Sequence, residues 1–389
     1  MLHVTLSGDI FLKSRRTQAH LIRRFKENLT AALVAVGHSG RCKRIGGHRL
    51  VVDIEDGDAE VVAGAAAKVF GVSGVRRIVE LPGTDLEALA QEAAGVWGAK
   101  VAGKTFAVRA KRSGEHDWRS LDLAVRLGDL LRESGGSVDL GDPQIEVSIR
   151  VEGDTAYLAV EHWRGPGGLP IGSQDRVLAL VSGGFDSIVA AWMMMSRGVS
   201  VEFVHFTLDC AQSDHALAVA RELWSDWGRG SDPVVHLVDF QPVKDALLEQ
   251  VDSRMRQVTL KVLMARAAET IALDCGIDAI VTGDALGQVS SQTLPHLVAV
   301  SRAVETPILR PLVGMPKETI IDRARAIGTA ELSARAREVC DLSEGRPVAT
   351  SAGRGAIRKA VYAVPEVLVD EATATRKTFL LTDWMPGAV

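Results

Sequence analysis

The chain has 389 residues, of which 47% are hydrophobic and 24% are charged, and its net charge is −4. These values are ordinary for a globular protein of two or three domains, and no run approaches the roughly 18 to 20 apolar residues of a membrane span. The start of the chain lacks the basic and then apolar layout of a signal peptide. We therefore expect a cytoplasmic protein with no membrane partner.

Positive charge is concentrated near the start of this mildly acidic chain. Apart from Glu27, the charged residues between positions 13 and 49 are all basic: Lys13, Arg15, Arg16, Arg23, Arg24, Lys26, Arg41, Lys43, Arg44 and Arg49. A second cluster comprises Arg109, Lys111 and Arg112. Local basic surface suits a protein that holds RNA with one part and carries out chemistry with another. A solvated helix face explains the first cluster equally well.

Residues 1–80 are predicted to form a small α+β domain. Strands at 3–6, 49–54 and 75–80 alternate with helices at 16–35 and 59–69. This β-α-β-α-β order indicates a ferredoxin-like unit.

Residues 81–165 are predicted to form a second α+β domain. A helix at 85–99 precedes a strand at 105–110 and a helix at 121–132. Two alternating strands, 144–150 and 155–162, then form a hairpin whose turn is Gly153-Asp154.

A linker and a change of pattern mark the third predicted domain, residues 166–389. In the segment 164–172, five of the first seven residues are glycine or proline. Apolar strands and helices then alternate, with strands at 177–181, 201–206, 234–239 and 279–282, and helices at 187–197, 214–228, 242–250 and 256–274. Such alternation predicts an α/β fold with a doubly wound parallel sheet, which binds ligands at the carboxyl ends of its strands.

The segment Ser182-Gly183-Gly184-Phe185-Asp186-Ser187 lies between the first of these strands and its helix. The glycines let the backbone approach an anion, the serines add hydroxyl donors, and the N–H groups at the helix start point into the same space. No lysine follows the glycines, so this is not the G-x-x-x-x-G-K-[ST] loop. An acid inside the turn suits a magnesium-bound pyrophosphate instead. The segment resembles the PP-loop of ATP pyrophosphatases, which split ATP into AMP and pyrophosphate.

Three blocks of sequence together resemble the tRNA 4-thiouridine synthetase family. They are 106–122, which contains the second basic cluster, 167–187, which ends in the PP-loop, and 281–293, Val-Thr-Gly-Asp-Ala-Leu-Gly-Gln-Val-Ser-Ser-Gln-Thr. The resemblance covers about residues 2–345. It implies that the ferredoxin-like domain and a THUMP domain bind tRNA. A PP-loop domain of the adenine nucleotide alpha hydrolase type would then use ATP and Mg²⁺ to replace O4 of uridine 8 with sulfur.

The resemblance also implies a role for individual residues. The nucleotide would be bound by Leu180, Val181, Ser182, Gly183, Gly184, Asp186, Ser187, Lys261, Gly283 and Gln292. Asp186 would also serve the pyrophosphate and its magnesium, Lys317 would be needed for activity, and Cys340 would receive or deliver sulfur. Asp284 replaces the glutamate expected after Gly283, a change that keeps the charge.

The other cysteines, and the histidines that could bind a metal, are interpreted mainly as structural residues. Cys210 and Cys275 are expected to be packing cysteines, and Cys42 to lie in a basic loop. His116 and His205 are interpreted as structural or RNA-contacting. With four dispersed cysteines and no C-x-x-C, the sequence contains no cluster at metal-ligand spacing, so we predict no protein-bound metal site beyond the magnesium of the nucleotide. An iron–sulfur cluster, which some short relatives bind, would require Cys210, Cys275 and Cys340 to converge.

The sulfur donor and the exact activity remain open at this stage. About 50 residues follow Cys340, too few for the rhodanese domain of many family members. A cysteine desulfurase or a separate sulfur carrier is therefore expected as a partner, and the family implies a homodimer. The alternatives are a PP-loop enzyme that modifies another tRNA site and a tRNA-binding protein that has lost catalysis.

Overall fold

A computed structural model describes residues 1–45, 48–54, 59–208, 213–336, 342 and 348–387. The chain divides into two compact units. The first comprises Met1–Leu12 and Leu29–Gly167, and the second comprises Lys13–Asn28 and Gly168–Val389. Among the helices of the described ranges, none is both long enough and apolar enough to cross a membrane.

The described part of the first unit is built on one sheet of eight strands. In chain order they are β1 (Leu2–Leu6), β2 (Cys42–Ile45), β3 (Arg49–Val52), β4 (Val72–Pro82), β5 (Thr105–Ser113), β6 (Ser137–Val138), β7 (Ile145–Glu152) and β8 (Thr155–Arg164). Their order in the sheet is β2-β3-β1-β4-β8-β7-β5-β6. The pairs β5–β6 and β5–β7 are parallel and the others are antiparallel.

Helices cover one face of this sheet. In chain order, the helices of this part of the chain are α1 (Gly8–Phe11), α2 (Arg15–Val34), α3 (Ala59–Ala67), α4 (Leu86–Val101) and α5 (Ser120–Glu133), and α2 is divided between the two units after Asn28. Leu89 and Trp97 of α4 and Leu127 of α5 pack with Phe106 and Leu158 in one buried cluster. In β8, buried residues alternate with more exposed ones, as expected of a strand with one covered face. The opposite face is therefore left for polar side chains.

Strand β2 corrects the predicted order of the first domain. Cys42 begins this strand, so it does not lie in a loop as predicted. Its pairing with β3 gives β-α-β-β-α-β, the complete ferredoxin-like order. The prediction missed it because a four-residue strand containing Lys43 and Arg44 has no apolar alternation. Strand β4 runs across the predicted boundary at residue 80, and the division into 1–80 and 81–165 stays a prediction.

The second unit contains the predicted doubly wound sheet. Its described strands are β9 (Arg176–Leu180), β10 (Ser200–Thr207), β11 (Val234–Asp239), β12 (Ile280–Val281), β13 (Ile308–Leu309) and β14 (Lys377–Leu380), in the order β13-β12-β9-β10-β11-β14. All pairs are parallel except β11–β14. Every residue of β10 after Ser200 is buried, as in a strand covered on both faces. The sheet confirms the predicted fold class, although β13 and β14 were not predicted.

Helices cover both faces of this sheet. They are α6 (Phe185–Met195), α7 (Ser213–Trp227), α8 (Gln241–Gln250), α9 (Arg256–Cys275), α10 (Leu294–Ser301), α11 (Lys317–Ala326), α12 (Ala330–Ser333), α13 (Arg354–Ala363) and α14 (Glu366–Ala374). The central helix α9 buries Leu260, Leu263 and Ile271 in the main core and ends at Gly276, whose φ of 63° is left-handed.

The order of the strands determines where loops converge. From β9 the chain proceeds to β10 and β11 on one side, and later returns to β12 and β13 on the other. The loops that follow β9 and β12 therefore diverge from neighbouring strands at the carboxyl edge of the sheet. In doubly wound sheets this switch point is where ligands bind.

Candidate functional site

The PP-loop (Ser182–Ser187) forms a tight turn between β9 and α6. Gly183 has a φ of 78°, and a Cβ there would lie 2.8 Å from the His215 ring. Gly184 is the N-cap of α6 and has no side chain to cap the first turn. The N–H groups at the start of α6 are thus available to an anion, as expected of a phosphate-binding loop.

The two serines of the PP-loop form hydrogen bonds within the loop. The Ser182 N–H donates to Ser187 Oγ at 3.3 Å, and Ser187 Oγ donates to the Gly184 carbonyl at 3.3 Å. The two hydroxyl oxygens are 3.4 Å apart. Both predicted nucleotide-binding serines therefore also hold the turn in shape.

Asp186 and Lys317, two of the predicted catalytic residues, form an ion pair. Lys317 Nζ lies 2.8 Å and 3.0 Å from the two carboxylate oxygens of Asp186. Gln288, from the loop after β12, donates its Nε2 to Asp186 at 2.7 Å. The side chains of Asp186 and Lys317 are 23% and 38% exposed. This first acid cluster is therefore partly exposed, and its carboxylate can exchange partners with a ligand.

Asp284 is the centre of a second, buried acid cluster. Its carboxylate accepts from Lys261 Nζ at 2.7 Å, from Thr282 Oγ1 at 2.8 Å and from Arg310 Nε at 3.3 Å. Its side chain is only 8% exposed. Burial by itself raises the pKa of Asp284, but the charge of Lys261, with the hydrogen bonds and Arg310, outweighs it and holds the pKa below the ordinary range. The carboxylate therefore stays ionised and fixes Lys261 in place.

At Gly283, the backbone next to Asp284 packs directly against the backbone of Asp186 and Ser187. A Cβ at this position would lie 2.6 Å from the carbonyl carbon of Asp186 and 2.6 Å from the nitrogen of Ser187. Only glycine fits such a close approach of two backbones. Its predicted contact with the nucleotide remains a prediction, and the geometry gives it a packing role as well.

Gln292 retains unused hydrogen-bonding capacity. Its side chain is 7% exposed, and among the described residues its Oε1 has no partner. Its backbone carbonyl accepts from Gly287 at 2.9 Å, which closes the loop after β12. An unpaired buried amide oxygen is costly unless something binds it, which is consistent with the predicted nucleotide contact.

Leu180 and Val181 lie where β9 ends. The Val181 N–H donates to Val204 at 2.9 Å, and its carbonyl accepts from His205 Nδ1 at 2.8 Å. A carbonyl oxygen has a second lone pair, so this atom can accept a further hydrogen bond; the adenine contact stays a prediction. His205 is buried, which lowers its pKa, and its bond to Val181 is structural.

The structure adds two site residues that the sequence did not indicate, Gln288 and Arg310. Gln288 is one of two glutamines in the 281–293 block, of which only Gln292 was predicted from the sequence as a site residue. Arg310 follows the unpredicted strand β13, so no signal led to it. Cys340 and Cys210 lie outside the described residues, and Arg335 is exposed at the edge of that gap. The predicted sulfur-carrying cysteine is therefore not located.

The open face of the first sheet carries a basic groove. Its cationic side chains come from four strands: Arg49, Arg76, Arg109, Lys111 and Arg150. The groove has a volume of about 340 Å³ and also contains Tyr157 and His3. Glu152 lies 2.8 Å from Arg49 and Glu146 lies 3.7 Å from Arg109, whereas Arg76 and Lys111 have no acidic partner within 4 Å among the described residues. The groove therefore has unbalanced positive charge.

In the first basic cluster of the sequence, residues 13–49, some side chains are exposed and others form hydrogen bonds within the protein. Arg15, Arg16 and Arg23 are exposed on α2. Arg24 instead donates to the carbonyls of Ile171 at 3.0 Å and Gly230 at 3.1 Å, within the second unit. Part of the cluster is therefore structural and part is free surface.

Comparisons with known proteins give a consistent assignment. Residues 172–362 match the family model of the Thiamine biosynthesis protein (ThiI), and residues 83–161 match the THUMP domain. A tRNA sulfurtransferase of Desulfurococcus amylolyticus is 40% identical over 343 residues, which are 87% of this chain and 70% of that protein. A probable tRNA sulfurtransferase of Aeropyrum pernix is 38% identical over 87% of this chain and 86% of its own length.

Two solved structures resemble the chain. A 4-thiouridine synthetase in complex with RNA and bound ATP has a TM-score of 0.81 at 26% identity, covering 97% of this chain and 99% of that one. PH1313 from Pyrococcus horikoshii has a TM-score of 0.62 at 22% identity, covering 84% and 99%, and shows the fold alone. From the site, the family models and the curated relatives together, the chain belongs to the tRNA sulfurtransferase family.

Proposed function

We propose that the protein is an ATP-dependent tRNA sulfurtransferase that converts uridine 8 of tRNA to 4-thiouridine. The observation that carries this proposal is the ion pair of Asp186 with Lys317 beside the PP-loop, at the switch point of the sheet. It stands in a chain that resembles, over 97% of its length, a 4-thiouridine synthetase with RNA and ATP.

The residues around the PP-loop fit a nucleotide. The uncapped start of α6 suits phosphate oxygens, and the unpaired Oε1 of Gln292 suits a donor such as an amino or hydroxyl group. Asp186 offers the carboxylate oxygens that Mg²⁺ prefers. When bound, Mg²⁺ would neutralise charge on the phosphates. Lys261, fixed by Asp284, would be a second cation near them.

The reaction needs two displacements. In the first, O4 of the uridine attacks the α-phosphorus of ATP and pyrophosphate departs. Lys317 would stabilise the charge that develops on the phosphates, a role for which one preorganised partner is worth about 3–4 kcal/mol. In the second, a sulfur nucleophile attacks C4 and AMP departs with the original oxygen.

The sulfur nucleophile would be sulfide or a persulfide on Cys340. In the persulfide route the outer sulfur attacks C4, and a second thiol then attacks the Cys340 sulfur, which releases 4-thiouridine and leaves a disulfide between Cys340 and that thiol. Because a thiolate is the reactive form, a cation such as Arg335, five residues before Cys340 in the sequence, would favour the step if it lies beside the thiol. A cysteine desulfurase or a separate carrier would supply the sulfur.

The first unit would hold the tRNA. The basic groove presents five cations and the aromatic Tyr157 on one open sheet face, and such surfaces bind phosphate backbones in a salt-dependent way. We further propose the division into domains at 1–80, 81–165 and 166–389, a homodimer, and a cytoplasmic location.

The test is in vitro thiolation. The purified protein is incubated with ATP, tRNA and either sulfide or a cysteine desulfurase with cysteine. We expect AMP and pyrophosphate to form together with the near-ultraviolet absorbance of 4-thiouridine, and a tRNA with cytidine at position 8 to remain unmodified. Thiolation of that control would point to another tRNA site. If tRNA binds but neither AMP nor 4-thiouridine forms, the protein is an RNA binder and the proposal fails.

A further inference from the structure

Three potential metal ligands converge at the amino-terminal edge of the second sheet. Glu202 is the third residue of β10, His236 is the third residue of β11, and Cys275 is the last residue of α9. The PP-loop lies at the opposite, carboxyl edge. The catalytic proposal therefore uses none of these side chains.

The distances between the ligand atoms suit a single ion. His236 Nε2 lies 3.1 Å from Glu202 Oε2 and 4.0 Å from Cys275 Sγ, and all three atoms lie within 4.8 Å of one another. A tetrahedral zinc ion, with bonds of about 2.0 Å to N and O and about 2.3 Å to S, separates its ligand atoms by about 3.3–3.6 Å. Shifts of a few tenths of an ångström to about one ångström would complete the geometry.

A hydrogen bond on the side of the ring away from the other two ligands orients the His236 imidazole. His236 Nδ1 lies 3.1 Å from Thr378 Oγ1 on strand β14. The hydroxyl can accept the Nδ1 proton, which leaves the Nε2 lone pair for a metal, as the outer partners of metal-binding histidines commonly do. Arg176 bonds to the other oxygen of Glu202, Oε1, and so leaves Oε2 available.

The burial of the three side chains and the access from solvent also suit a bound metal ion. Glu202 is 5% exposed and His236 is 1% exposed, while Cys275 is half-buried. A cavity of about 390 Å³ is lined by Arg176, which contacts Glu202, and by Gly276, the residue after Cys275, but by none of the three ligands themselves. An ion could enter from there, and a water molecule could provide the fourth ligand.

We propose that Glu202, His236 and Cys275 bind one Zn²⁺ ion, with water in the fourth position. One thiolate, one imidazole and one carboxylate are the donor types that zinc takes. Binding releases the thiol proton of Cys275 and moves the imidazole proton to Nδ1. The ion would link β10, β11 and α9, and through Thr378 also β14. Without metal, the His236 N–H would instead donate to Glu202.

The experiment is metal titration of the reduced full-length protein. We expect one Zn²⁺ per chain and a higher melting temperature with zinc, and Co²⁺ should give a thiolate-to-metal charge-transfer band. Cys275→Ser should abolish the band, and Thr378→Val should weaken binding by about tenfold or more. Cys42→Ser, a change in the first unit, should leave the band intact.

Two measurements keep the result clear. If Cys275→Ser folds poorly, alkylation of the unaltered protein serves instead, because Zn²⁺ should protect Cys275 from iodoacetamide while Cys42 still reacts. Asp186→Asn should bind zinc normally, which separates this site from the proposed catalysis. Absence of binding, or a cobalt band that survives Cys275→Ser, would overturn the proposal.

Discussion

Two acid clusters stand side by side at the carboxyl edge of the second sheet, and they differ in exposure. The side chains of Asp186 and Lys317 are 23% and 38% exposed, whereas those of Asp284 and Lys261 are 8% and 29% exposed. Both are aspartate–lysine pairs joined at 2.7–2.8 Å. The exposed pair is worth little to stability, so its carboxylate can exchange partners at low cost. The pair of the buried Asp284 with Lys261, which has Arg310 as a second cation, is costly to break and acts as a support.

The first way to test this contrast is Asp186→Asn. We expect thiolation to fall by about 10³-fold, since the group would contact the phosphates and their magnesium, which corresponds to about 4 kcal/mol. The free energy of unfolding should change by less than about 1 kcal/mol. Turnover of ATP with tRNA and urea denaturation measure the two quantities. Strong destabilisation would show that the exposed cluster is structural.

Asp284→Asn should behave in the opposite way. It leaves Lys261 and Arg310 without their buried partner, and we expect a loss of about 3 kcal/mol in the free energy of unfolding. Asp284→Glu keeps the charge and is the matched control, with a smaller loss. Urea denaturation at neutral pH makes the comparison. Equal stability of the Asn variant and the unaltered protein would contradict the supporting role.

The two lysines provide a matched pair of substitutions. Lys317→Met should reduce the rate by about 10²- to 10³-fold with little change in stability, because only a partly exposed pair is lost. Lys261→Met should lower both the affinity for ATP and the free energy of unfolding, because the buried carboxylate of Asp284 loses a partner. The thiolation rate, the affinity for ATP and the melting temperature of both variants test these expectations. The contrast fails if the two variants are equally stable.

The smallest expected effect is the pH dependence of the buried cluster. The pKa of Asp284 is lowered on folding, so its contribution is complete above the ordinary aspartate pKa of about 3.9 and is lost as pH falls through the lower folded value. The difference in stability between the unaltered protein and Asp284→Asn should hold from pH 7 to pH 5 and shrink below pH 4. Urea midpoints at these pH values test it. A difference that disappears already at pH 6 would be inconsistent.

Much of the second unit could be predicted from the sequence. The strands 177–181, 201–206 and 234–239 match β9, β10 and β11 to within one residue at each end, because buried parallel strands form continuous apolar runs between turn residues. The PP-loop could be predicted because its glycines and acid fall between such a strand and a helix. The family resemblance supplied Lys317, which has no local signal of its own.

What could not be predicted depends on tertiary contacts. Asp284 differs from the expected glutamate, and the sequence alone gave no reason to expect it to be buried among three partners. Cys275 was expected only to pack in the core, yet its Sγ lies 4.0 Å from His236. The three proposed zinc ligands, Glu202, His236 and Cys275, come from two strands and a helix, so no spacing in the sequence relates them. Strands of two to four residues, such as β2, β13 and β14, have too few positions for a periodic pattern.

Strand β14 has a consequence for any shortened form of this protein. It pairs antiparallel with β11 from Lys377 to Leu380 and so occupies one border of an otherwise parallel sheet. Removing it would leave the backbone N–H and C=O groups of the apolar segment Val234–Asp239 open to a strand from another molecule. A variant ending at residue 362, where the family model stops matching, would keep the PP-loop but would be prone to aggregation.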